Sequence, residues 1–153
     1  NDEPLMNANS DQYIDIDIND YLDAVNERDL DGIIMTMKAS DPKWSYARVD
    51  DNGFVIETAE KKVISDDATV GIFNFKQGRD LVCAANQMIA DNIRVNGEFY
   101  TCPAYNYLIK AGKKIGIYGI GEEYNGMYGL GIPQDLDFFL QHPVSQRIKM
   151  KVM

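Results

Sequence analysis

Gly32-Ile33-Ile34-Met35-Thr36-Met37-Lys38 is the stretch on which the reading of the fold turns. Its apolar residues run continuously instead of alternating, and the run is shorter than an ordinary helix. That is the pattern of a strand covered on both faces, so helices must lie on either side of its sheet. Upstream, residues 4–9 read as a strand running into a turn. Asn19 or Asp20 then caps a helix through Asn26 that turns Leu22 and Val25 inward. Downstream, residues 44–49 and 54–58 flank Asp50-Asp51-Asn52-Gly53, a hairpin turn rich in residues that tolerate positive φ. Residues 70–75 form a further strand. Residues 78–91 carry Leu81, Ala85, Met88 and Ile89 at helical spacing. Pro103 opens a helix through Lys110 that Gly112 stops. Residues 114–120 are a strand, and Pro133 starts a last helix with Leu136, Phe139 and Leu140 toward the core. The order predicts an α/β domain: a mixed sheet flanked by helices.

The chain has 153 residues, 45% of them hydrophobic, enough for one domain with a sizeable core. Its net charge of −9 argues against nucleic acid and against an anionic membrane surface as partners. No apolar run approaches the roughly 20 residues that span a bilayer. No basic-then-apolar leader opens the chain. Cys83 and Cys102 lack metal-type spacing and read as free thiols of a reducing, cytoplasmic compartment. His142 is the single histidine, which excludes a multi-histidine metal site. The first residue is Asn1 rather than Met, so the sequence is expected to be a piece of a longer protein. Residues 144–153 read as a basic tail or the start of a helix.

Four groups of residues are candidates for chemistry. Asp11, in Asn9-Ser10-Asp11-Gln12, would stand at the C-terminal end of a buried strand, where ligands bind in open α/β sheets. It suits Mg²⁺, which takes carboxylate oxygen together with substrate phosphate. A turn aspartate capping its own backbone accounts for it equally. Glu60-Lys61-Lys62 pairs an acceptor for hydroxyls with a point charge for phosphate, or is a solvated charge run at a strand end. Asn96-Gly97-Glu98-Phe99-Tyr100 sets a glutamate after a flexible glycine, as a polyol ligand or as a helix-entry loop. Gly119, Gly121, Gly126, Gly129 and Gly131 match neither phosphate-loop fingerprint and read as tight turns. Asp15-Ile16-Asp17 fails as an EF-hand loop. It matches the D-x-D of metal-dependent glycosyltransferases over three residues only, and helix-entry acids explain it as well.

Taken in order over residues 3–143, these motifs resemble the sugar-1-phosphate nucleotidylyltransferases, especially bacterial members serving surface polysaccharide or lipooligosaccharide synthesis. The resemblance implies a Rossmann-like, GT-A-like fold of which this chain is the C-terminal, sugar-phosphate-binding portion, without the Gly-rich nucleotide-binding half. It implies that Asp11 binds Mg²⁺ and that Lys61 holds the sugar phosphate, these two being the catalytic residues. Glu60 would take sugar hydroxyls, although Lys62 replaces the usual proline of that motif. Val70 and Gly71, in Thr69-Val70-Gly71, would touch the sugar through their backbone, and Gly97 with Glu98 would line the same pocket. One departure concerns the metal. The family's second metal-binding aspartate falls at Gly129, in Met127-Tyr128-Gly129-Leu130-Gly131-Ile132-Pro133, leaving Glu122 or Glu123 as substitutes.

The implied reaction joins a nucleoside triphosphate and a sugar 1-phosphate, releasing pyrophosphate. The isolated piece is expected to be inactive. Two other readings stand beside it: a non-catalytic sugar-phosphate-binding or regulatory module, and a D-x-D glycosyltransferase using Asp15 and Asp17. An exposed sheet edge would favour a homo-oligomer.

Overall fold

The computed structural model describes residues 2–152; Asn1 and Met153 lie outside it. Among the described residues, eight strands form one mixed sheet. The strands are β1 (Leu5–Ala8), β2 (Gln12–Ile14), β3 (Gly32–Lys38), β4 (Tyr46–Val49), β5 (Val55–Ala59), β6 (Asp67–Phe75), β7 (Ile115–Glu123) and β8 (Gly126–Gly129). The helices are α1 (Ile18–Glu27), α2 (Gly78–Ala90), α3 (Tyr105–Lys110), α4 (Pro133–Gln141) and α5 (Pro143–Val152), with a 3-10 turn at Cys102–Ala104. The sheet order is β2-β8-β7-β3-β6-β4-β5, and β1 also pairs with β6. β3 runs parallel to β7 and antiparallel to β6. This is the expected α/β architecture.

The central position of β3 explains its composition. Ile33, Met35 and Met37 join one core with Tyr21, Val25 and Leu30, while Ile34 points into the other with Phe75, Met88 and Tyr105. Alternation is present in the backbone, but both faces are dry, so apolar residues stand on both, with buried Thr36 as the polar exception. Burying one such isoleucine contributes about 1.5–3 kcal/mol. The large tyrosines of the two cores bring a hydroxyl with them. Tyr21 donates to the Ile33 carbonyl at 3.0 Å and Tyr105 to the Asn74 carbonyl at 2.9 Å, so neither burial leaves a donor unpaired.

Several expectations need correction. β1 is an edge strand with all four residues exposed, not a buried one. Among the described residues it pairs with β6 alone. The cap of α1 is Asp17, whose carboxylate accepts from the Asn19 amide at 2.9 Å, and Leu22 lies outside while Tyr21 and Ala24 go in. On α2 the buried residues are Ala84 and Met88, and Ile89 is exposed. The glycine-rich stretch makes the expected tight turn and close packing between Gly121 and Gly126, both with positive φ, but it is strand as well. It contributes the end of β7 and all of β8, and β8 carries β2. On α4, Leu136 and Leu140 are exposed; Phe139 alone of the expected three turns in, against Tyr13 and Tyr128 at 5.4 and 5.5 Å between ring centroids. Of residues 144–153, expected as a tail or the start of a helix, those up to Val152 belong to α5, and Arg147 binds the Asp15 carboxylate from it. Among the described residues no helix is long and apolar enough to cross a membrane.

Candidate functional site

The hairpin β4–β5 ends on one side of the sheet, where Ser45 faces Glu60 and Lys61. The hairpin turn is held by Asp50, which accepts from the amides of Asn52 and Phe54, both at 2.9 Å. At the open end the Ser45 hydroxyl donates to the Glu60 carboxylate, and the Thr69 amide donates to the Ser45 carbonyl at 2.8 Å. β5 is tied to α3 by Asn106, which accepts from the Thr58 amide and donates to its carbonyl, each at 2.8 Å. The Thr58 hydroxyl adds a bond to the Cys102 carbonyl at 2.9 Å. These bonds bring residues 98–102 beside Glu60 and Lys61.

A second approach comes from β1. The Asn9 amide donates to the Gly71 carbonyl at 2.9 Å, and the Gln12 side chain donates to the Val70 carbonyl at 2.5 Å. The Asn9 carboxamide lies over Gly71, in the space a side chain there would fill. Gly71 has φ of +71°, a conformation that costs little only without a Cβ. Close approach and backbone geometry therefore both call for glycine.

These elements enclose a cleft of about 420 Å³, whose walls include Asn9, Trp44, Ser45, Glu60, Lys61 and Gly71. That lies within the roughly 300–1,000 Å³ of small-ligand sites. Of the residues singled out from sequence, Glu60, Lys61, Val70 and Gly71 meet on it. Val70 presents only its main chain, since its side chain is buried in the core.

Gly97 and Glu98 stand just outside the lining. The segment is a two-residue hairpin turn: Val95 and Glu98 exchange both backbone bonds at 3.0 Å, with positive φ at Asn96 and Gly97. Asn-Gly is the pair such a turn selects. Arg94 braces it, donating to the Gly97 carbonyl at 2.8 Å with its guanidinium 3.9 Å from the Phe99 ring centroid. Glu98 is thus on a fixed turn, not a flexible helix entry.

Glu98 reaches the cleft through Tyr100. The Lys61 ammonium donates to the Tyr100 hydroxyl at 2.8 Å, and that hydroxyl donates to Glu98 at 2.6 Å. The bond to Tyr100, joined by the nearby carboxylates of Glu60 and Glu98, raises the Lys61 ammonium above its ordinary value. Lys61 is therefore charged at neutral pH. The Cys102 thiol on the cleft wall is pushed up to about 12, mainly by burial, and is not a nucleophile.

Asp11 is apart from this cleft. It follows the Asn9 turn, its carbonyl accepts from the Leu130 amide at 2.8 Å, and its carboxylate lies 2.6 Å from where a Cβ on Gly131 would stand. The neighbouring Gly129, at the position of the resemblance's second aspartate, is covered by a different carboxylate. Asp135 of α4 lies 3.1 Å from where the Gly129 Cβ would be, held by a bond from the Tyr124 hydroxyl at 2.9 Å. Of the two substitutes considered, Glu123 is paired with Lys43 at 3.0 Å and Glu122 lies near the end of β7, paired with Gly126 of β8. Among the described residues no group of three or more His, Cys, Asp or Glu gathers around one point. Asp11 and Asp135 face alternate glycines of one stretch, and carboxylate oxygen is the kind of ligand Mg²⁺ takes together with water and phosphate oxygen.

Both acids of the D-x-D motif have partners within the chain. Asp15 is engaged by Arg147 and Tyr13, and Asp17 caps α1.

The sequence-based choice missed Asn9, Ser45, Trp44 and Tyr100. Trp44 is the single tryptophan of the chain and Tyr100 sits two residues from Glu98, but neither fact locates a cleft. The pairing of β4 with β5 and the bond from Lys61 to Tyr100 do.

No protein-family model matches the chain, and no curated protein matches its sequence. Solved structures do. The chain is similar to the nucleoside-diphosphate-sugar pyrophosphorylase of Vibrio cholerae RC9, with TM-score 0.74 and 26% identity over 91% of this chain and 56% of that one. It is also similar to a protein of Bacillus anthracis assigned as a glucose-1-phosphate thymidylyltransferase and solved with sucrose, with TM-score 0.66 and 16% identity over 90% of this chain and 53% of that one. The second likeness speaks for the fold alone. The chain spans little more than half the length of either protein.

Proposed function

We propose that this chain is the sugar-phosphate-binding portion of a nucleotidylyltransferase that makes a nucleotide sugar from a nucleoside triphosphate and a sugar 1-phosphate. One observation carries the reading. Glu60, Lys61 and Gly71 meet on a single polar cleft, in a fold similar to that of a nucleoside-diphosphate-sugar pyrophosphorylase.

In this reading the Lys61 ammonium holds the sugar's phosphate, and Glu60, fixed by Ser45, accepts hydrogen bonds from sugar hydroxyls. The backbone of Val70 and Gly71 forms the wall against which the sugar lies, and Glu98 on its Asn96-Gly97 turn closes the pocket. A phosphate oxygen of the sugar 1-phosphate attacks the α-phosphorus of the triphosphate. One P–O bond forms, the α–β bridge breaks, and pyrophosphate leaves with the bond's electron pair. The substrate supplies the nucleophile, so the protein contributes position and charge. Asp11 would hold Mg²⁺, with Asp135 in the space that Gly129 leaves open. That ion, when bound, neutralises charge on phosphoryl oxygens. A second reading, a binding module without transfer, is favoured by the glycine at position 129.

Isothermal titration of this chain with glucose 1-phosphate tests the reading. Saturable binding that K61A weakens by about tenfold or more is expected, as for loss of a charged hydrogen bond. Absence of binding, or binding indifferent to K61A and E60Q, would refute it. Pyrophosphate release by the complete gene product, supplied with triphosphate and Mg²⁺, separates transfer from binding alone.

A further inference from the structure

We infer that Tyr100 is a positioning residue that joins the cation of the cleft to the acid of the 95–98 turn, so that Lys61 and Glu98 engage one ligand as a coupled pair. The inference rests on the sugar-phosphate reading of the cleft and adds a residue to it.

Three observations carry it. The Tyr100 hydroxyl lies between two charges, accepting from the Lys61 ammonium at 2.8 Å and donating to the Glu98 carboxylate at 2.6 Å. A phenol has one proton to give, so the polarity of this chain is determined: ammonium to hydroxyl to carboxylate. Both bonds are charge-assisted, and each polarises the other. The Lys61 ammonium stands at the hydroxyl edge of the ring, 4.9 Å from its centroid, as that bond requires. Finally, Lys61 has φ of +52°, an uncommon conformation for a residue with a Cβ. This backbone, leaving β5, points the side chain across to residue 100.

The physical consequence concerns order. A free lysine side chain carries rotamer entropy, which a ligand must remove on binding. Tyr100 has two side-chain torsions and stands on a segment that the Asn96-Gly97 turn and the Cys102–Ala104 turn bracket. It removes much of that freedom before the ligand arrives. The ammonium has three protons and gives one to Tyr100, so two remain for phosphate oxygens. On the other side, Glu98 keeps its second oxygen for a sugar hydroxyl. The phosphate end and the hydroxyl end of one ligand are thereby linked through a single phenol.

The test is titration calorimetry on the 153-residue chain with two probes, glucose 1-phosphate and inorganic phosphate, using wild type, the single variants K61A, E98Q, E98A and Y100F, the doubles K61A/E98Q, K61A/Y100F and E98Q/Y100F, and the triple variant K61A/E98Q/Y100F. Y100F keeps the ring and removes only the relay. It is expected to weaken glucose 1-phosphate about five- to tenfold, the size of one net charge-assisted hydrogen bond. In the wild-type background K61A and E98Q should be non-additive; with Y100F added, their effects should become additive. A residue that only fills space would leave that coupling unchanged.

Wild-type binding that K61A weakens, with Y100F within twofold of wild type and the coupling intact, overturns the inference and leaves the cleft reading standing. Failure of wild type to bind either probe overturns both. Circular dichroism confirms folding of each variant. If Y100F does not fold, E98A, which leaves the Tyr100 hydroxyl without its acceptor, is read against inorganic phosphate. Removing a negative charge near Lys61 would by itself tighten phosphate, whereas breaking the relay loosens it. Weaker binding supports the inference, and tighter or unchanged binding overturns it.

Discussion

Replacing Gly71 by alanine tests the wall of the cleft at its most constrained point. Two costs are legible in the structure. The first is conformational: φ is +71°, and a residue with a Cβ pays roughly 1–2 kcal/mol to adopt the left-handed region. The second is steric. The new methyl would overlap the Asn9 carboxamide, whose terminal atoms occupy that space, and overpacking of this kind costs about 1–3 kcal/mol. Asn9 can swing away, because the contact is with the end of a side chain, so the total is expected at about 2–4 kcal/mol rather than more. The assay is urea denaturation of G71A, alone and with N9A. In the N9A background the overlap is gone, and the cost should fall to about 1–2 kcal/mol, the backbone term alone. A thermal scan should show a fall of roughly 4–16 °C for G71A, at about 2–4 °C per kcal/mol for a chain of this size. G71A within about 0.5 kcal/mol of wild type would refute the conformational argument. An equal loss with and without Asn9 would refute the steric one.

Two further outcomes follow from local chemistry. Asp17→Ala removes the side-chain cap of α1 and should cost about 1 kcal/mol in denaturant melts, without affecting binding of glucose 1-phosphate. Cys102 should make stability fall on the alkaline side. Burial raises its thiol from an ordinary 9.0 to about 12, so the folded state holds a proton that the unfolded state releases first. Its contribution is fully present below pH about 9 and is lost as pH rises toward about 12. Melts across that range should show a shallower loss for Cys102→Ala. In the native protein iodoacetamide should label exposed Cys83 and spare Cys102.

The elements whose pattern depends on burial over several residues were legible from the sequence. β3 was readable because both of its faces are dry, and the β4–β5 turn because Asp50-Asp51-Asn52-Gly53 carries its own geometry. β2 and β8 were not. Each is short, and β8 begins and ends in glycine, so neither shows alternation. Pairing with a neighbour makes them strands. The direction of Leu22, Leu136 and Leu140 was misread for a related reason. Leucine at helical spacing indicates a face, but not whether anything covers it.

The same division runs through the site. The sequence by itself determined which groups carry charge and which stand together along the chain: Lys61 beside Glu60, Glu98 after Asn96-Gly97, Asp11 in a turn after a strand. These are matters of residue type and local backbone preference. That Lys61 meets Glu98 through Tyr100, that Asn9 lies over Gly71, and that Asp135 covers Gly129 were decided by tertiary structure alone. Those residues lie far apart along the chain or in separate elements. Strand pairing and the anchoring of α3 on β5 bring them together, and no local periodicity encodes those distances.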